Sequence, residues 1–112
     1  MKREFSLASK KVIDSIFALR EAKTTKNFTI IKKVNQGPHF RFLISIGRKY
    51  GNSVKRNLMK RRIRAIIDLN SLVIGLFDFV IIVKTFANEL KYEEIKKEIE
   101  GLLKKSHIIN GE

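Results

Sequence analysis

Apolar and polar positions follow two periods along the chain. From Ser9 to Arg20, Ile13, Ile16 and Phe17 recur at i, i+3 and i+4 behind a serine that can cap, which predicts a short amphipathic helix. Asn27 to Lys33 is β-branched and aromatic and reads as a strand. Asn35-Gln36-Gly37-Pro38 is a turn signal, and Phe40 to Ile46 reads as a second strand, so the two are expected to pair antiparallel. Gly47 to Gly51 is a connector, after which Asn52 or Ser53 can cap a helix running to about Leu69. Phe77 to Val83 is apolar except for Asp78, the pattern of a strand buried on both faces. Tyr92 to Lys105 carries Ile95, Ile99, Leu102 and Leu103 at helical spacing, with Glu and Lys mixed on its outer side.

With two or three strands before the basic helix, the order α-β-β-β-α-β-α predicts one α+β domain over residues 1–112, an α-β sandwich in which a sheet packs against helices. The tail 106–112 is expected to fray. A chain of 112 residues has room for one modest core, and its 44% apolar content argues against disorder. No apolar run reaches the ~18 residues of a membrane span, and the first residues lack the apolar stretch of a secretory signal. With no cysteine, disulfides and thiolate metal sites are excluded. The expectation is a cytoplasmic protein.

Charge sharpens the picture. The net charge is +13, and between Glu21 and Asp68 there is no acidic residue but 13 basic ones. Elsewhere 11 basic residues face 11 acidic ones and cancel. An excess this concentrated points to a polyanionic partner. On the helix from Ser53, Arg56, Lys60 and Arg64 stack in one row at i, i+4, i+8, with Asn57 and Arg61 beside them. Like charges so spaced weaken an isolated helix, and a phosphate-rich partner removes that repulsion. The apolar residues of this helix form two arcs, Val54, Leu58 and Ala65 in one, Met59, Ile63 and Ile66 in the other. Lys55 and Arg62, between them, are expected to snorkel at the core edge.

The run Arg48-Lys49-Tyr50-Gly51-Asn52-Ser53-Val54-Lys55-Arg56-Asn57-Leu58-Met59-Lys60-Arg61-Arg62-Ile63-Arg64 closely resembles the signature of the bacterial ribonuclease P protein subunit. Ile13–Phe17, Phe28–Ile31, Asp78–Val83 and Leu90–Lys97 resemble that family's first helix, early strand, last strand and closing helix. The resemblance implies an α-β sandwich, of a kind shared with a ribosomal protein domain, whose basic helix lies in a left-handed crossover, against the usual right-handed rule. It implies a catalytic RNA partner with which the subunit removes the 5′ leader of precursor tRNA by hydrolysing one phosphodiester, with Mg²⁺ held mainly by the RNA. Carried over by motif, Arg48, Lys49, Arg56, Asn57, Lys60, Arg61 and Arg64 would contact the catalytic RNA. Ile13, Phe17, Phe28, Ile31 and Arg41 would line a cleft for the single-stranded leader, although Ile13 and Ile31 stand where the family has or can have an aromatic residue.

A self-sufficient nuclease needs carboxylates for metal or a histidine base. The basic segment has no Asp or Glu, and His39, expected to be exposed in a turn, and His107 lie far apart. The expectation is therefore an enzyme subunit whose catalytic groups belong to RNA, with no metal site, membrane contact or obligatory protein partner of its own. The rival is a structural RNA-binding protein of the ribosome or another ribonucleoprotein. Nonspecific DNA binding or association with an anionic membrane is a third.

Overall fold

Phe77–Val83, the segment apolar on both faces, takes an inner place in a four-stranded sheet. The computed structural model describes residues 9–19, 21–35 and 37–109. In chain order the elements are α1 (Lys10–Leu19), β1 (Ala22–Thr24), β2 (Phe28–Val34), β3 (Arg41–Ile46), α2 (Ser53–Leu69), β4 (Phe77–Val83) and α3 (Tyr92–Lys105). The sheet order is β1-β2-β4-β3.

The expected antiparallel pairing of β2 with β3 is not formed. β4 lies between them, antiparallel to β2 from Phe28↔Val83 to Val34↔Phe77 and parallel to β3 from Arg41↔Asp78 to Ile46↔Val83. The reason is burial. Phe79, Val80 and Ile81 are fully buried, and only an inner strand covers side chains on both faces. β3 alternates Phe42 and Ile44 with the more accessible Arg41 and Ser45, which suits an edge. The β3–α2–β4 unit is thus a parallel crossover carrying the basic helix.

Side chains alternate across the sheet. Phe28, Ile30, Phe42, Ile44, Phe79 and Ile81 face the main core, closed by α2 and α3 through Met59, Ile63, Ile66, Ile95, Ile99 and Leu103. The rings of Phe42 and Phe79 stack at 5.7 Å between centroids. On the opposite face α1 presses Ile16 onto Ile31 and Val80, with Val12, Ile13, Leu43 and Ile82 partly buried around them. That face is only half covered.

The chain after α3 does not fray over the residues described. Ser106, Ile108 and Ile109 are buried, and Ile109 bridges to Ile74. His107 adopts φ 58°, the Ile108 N–H donates to Leu103 O, and the His107 N–H donates to Lys104 O. These are the two bonds of a Schellman stop, here with histidine in place of the usual glycine. The absence of that glycine is why the sequence pattern read as an open end.

Candidate RNA-binding site

α2 starts sharply. Asn52 Oδ1 accepts the Lys55 N–H at 3.0 Å, the N-cap expected of asparagine. A Cβ on Gly51 would stand 3.0 Å from Lys55 Cδ and 3.3 Å from its Cβ, a close approach that glycine permits. Met59, Ile63, Ile66 and Ile67 turn inward. The other apolar arc faces solvent, with Val54 74% and Leu58 41% exposed. Of the two cations expected at the core edge, only Arg62 is there, half-buried; Lys55 is exposed. Next to Arg62 stands Tyr50, whose burial pushes its hydroxyl pKa above 10.0 against the lowering effect of the Arg62 charge.

The basic rows keep their sequence-derived geometry. Arg56 and Lys60 are half-buried at the flank of the helix, and Arg64, Asn57 and Arg61 are exposed. Arg56 Nη1 donates to Gly51 O at 2.6 Å, so one guanidinium is tied to the lead-in. Arg48 and Lys49 form an exposed 3₁₀ turn just before it. Among the described residues no carboxylate pairs with any of these cations. The face is cationic and, among the described residues, unneutralised.

The leader-cleft residues divide. Ile13, Phe17, Ile31 and Arg41 belong to the α1 side, where Ile13 is half-buried, Phe17 is 41% exposed and Ile31 is buried beneath the helix. Phe28 does not belong with them. It is 0% exposed on the opposite face, inside the main core, because strand alternation separates it from Ile31 by an odd number of residues. An open depression of about 1050 Å³ lies at one end of the α1 side, lined by Val12, Lys33, Asn35, His39, Arg41 and Asp78 among others.

Arg41 is held there by a residue whose role the sequence reading left unassigned. Its Nε donates to Asp78 Oδ1 at 3.0 Å and its Nη2 to Oδ2 at 2.8 Å, while Asn35 Nδ2 donates to Asp78 Oδ1 at 2.7 Å. The signal was present: a lone carboxylate in a doubly buried strand requires partners. His39 is half-buried rather than exposed, with Nδ1 3.0 Å from Phe40 O.

Comparison with known proteins decides the family, since the family model described as Ribonuclease P matches residues 1–107. The chain belongs to the ribonuclease P protein family. It is 40% identical over 113 residues to the ribonuclease P protein component of Acholeplasma laidlawii, covering all of this chain and 97% of that one. It is 32% identical over 109 residues to the component from Streptococcus equi subsp. zooepidemicus, covering 97% and 92%. Among solved structures, the Staphylococcus aureus RNase P protein superposes with a TM-score of 0.89 at 25% identity over 95% of this chain and 98% of that one. The Thermotoga maritima RNase P protein gives 0.81 at 25% over 89% and 96%. The ribonuclease P protein family serves tRNA 5′ processing as the protein component of a ribonucleoprotein enzyme, and membership implies association with the ribonuclease P RNA. Among the described residues, no helix is long and apolar enough to cross a membrane.

Proposed function

We propose that this chain is the subunit that binds the ribonuclease P catalytic RNA through the α2 face and its lead-in, and the single-stranded 5′ leader of precursor tRNA through the α1 side of the sheet. The observation that carries this reading is the cationic face of Arg56, Lys60, Arg61 and Arg64 with Asn57, which no carboxylate neutralises among the described residues. Guanidiniums match phosphate oxygens in bidentate geometry, and positive charge lets two RNAs approach each other. Ile13, Phe17 and Arg41 offer the leader an apolar edge, one accessible ring and a positioned cation.

Hydrolysis in this reading uses groups of the RNA, with Mg²⁺ supplying phosphate-charge neutralisation and an activated water when bound there. Among the described residues no three His, Asp or Glu side chains come together, and this reading assigns the metal to the RNA. The protein's part is to bind, orient and neutralise, in the cytoplasm.

The test adds purified protein to a bacterial ribonuclease P RNA and labelled precursor tRNA at low Mg²⁺. Leader release should require both components and fall sharply with the Arg56→Ala/Arg61→Ala double variant. Binding without any acceleration of cleavage would move the chain to the structural RNA-binding class. Cleavage by protein alone would overturn the assignment of catalysis to RNA.

A further inference from the structure

Phe86 lies in the turn between β4 and α3 and is 64% exposed, while its neighbour Ala87 is fully buried and anchors the turn. The ring therefore forgoes the burial that normally places phenylalanine in a core. It is not idle electrostatically, since Lys26 Nζ stands 5.3 Å from its centroid. The ring also borders an open depression of about 630 Å³ shared with Arg48, Lys49, Ile82 and Lys84. Among the described residues, no Asp or Glu lines that depression. Lys84 is committed, donating to Thr24 Oγ1 at 2.7 Å and Thr25 O at 2.6 Å. Arg48 and Lys49 are exposed, and no carboxylate pairs with their side chains among the described residues.

An accessible aromatic face beside unneutralised cations matches the two halves of a nucleotide. The ring takes a base by stacking, and the cations take the phosphates on either side. An apolar protein segment would use the ring but leave the charges unmatched. Arg48 and Lys49 also belong to the turn that leads into α2, so the depression and the cationic face draw on the same basic lead-in.

We propose that Phe86 is a stacking platform for one unpaired nucleobase, with Lys26, Arg48 and Lys49 receiving the adjoining phosphates. The proposal rests on the RNA-binding reading and adds a contact beyond Ile13, Phe17 and Arg41, where Ile82 of the α1 side meets the lead-in to α2. Either RNA can supply the base, the leader of the precursor or an unpaired nucleotide of the catalytic RNA.

The chain contains no tryptophan, so Phe86→Trp creates a single fluorescent reporter at the site. Stacking should quench its emission when a short single-stranded RNA binds, and an abasic strand of equal length and charge should bind without quenching. Phe86→Leu should weaken single-stranded RNA about fivefold or more, and Phe86→Tyr should restore it, with unchanged circular dichroism in both. Quenching by leader-bearing precursor but not by mature tRNA assigns the base to the leader; quenching by catalytic RNA alone assigns it there. Equal quenching by the abasic strand, or none at saturation followed by anisotropy, overturns the platform. A response to anionic vesicles and not to RNA overturns it as well. Cleavage stimulated by the wild-type chain without quenching in the reporter would remove the platform and leave the ribonuclease P reading standing. Quenching without stimulated cleavage would do the reverse.

Discussion

Asp78 carries a charge into an inner strand, where an unpaired carboxylate is strongly disfavoured. Arg41 and Asn35 satisfy it, and Asp78 in turn holds Arg41 at the edge of the α1 side. Asp78→Ala leaves both donors without their acceptor and should destabilise the fold by about 1.5–3 kcal/mol. Urea unfolding measures this, and a loss below about 0.5 kcal/mol, the range of an ordinary surface change, would show the pair to be unimportant. His107 poses the opposite case. Its φ of 58° strains any residue with a Cβ, so His107→Gly should raise stability by roughly 0.5–1 kcal/mol in the same assay. Tyr50 links stability to alkaline pH. Its folded-state pKa lies above 10.0, so the unfolded chain loses this proton first as pH rises. Stability from this group is complete below pH 10 and declines above it. Between about pH 9 and 11, Tyr50→Phe should therefore show a shallower fall in unfolding free energy than wild type; equal slopes would remove Tyr50 from the alkaline loss.

Among the elements, α2 shows both how much periodicity reveals and where it stops. Its start at Asn52, its end at Leu69 and its basic rows follow from capping chemistry and a 100° turn per residue. Which of the two apolar arcs enters the core depends on where the sheet lies, and local pattern does not contain that. The motif match puts Phe28 in the cleft for a similar reason: it gives position in the chain, whereas strand alternation assigns the face. Because the cationic rows survive folding intact, their energetics can be stated. With about five phosphates contacted, log affinity for RNA should fall with log salt at a slope of roughly −3.5 to −4.5. Arg61→Ala should weaken binding by about 1–3 kcal/mol. A salt titration by filter binding checks both, and a flat response would rule out phosphate contacts as the source of affinity.

For the molecule as a whole, the sequence conveyed the class and the order of elements but not the neighbours in the sheet. β2 and β3 adjoin in sequence across a turn and are nevertheless separated by β4, because pairing is decided by which strand needs cover on both faces. A chain ending at Leu76 would have an empty slot between β2 and β3. It should show no cooperative unfolding transition and should bind a hydrophobic dye, while keeping its affinity for polyanions. A cooperative transition in that fragment would mean that β4 is not what closes the sheet. Synthesis runs in one direction, and every cation of the basic segment has been made by Arg64, before the first residue of β4. A growing chain therefore carries the whole of that positive charge, attractive to any polyanion, before it has a shape with which to choose among them. Discrimination arrives only with the late strand.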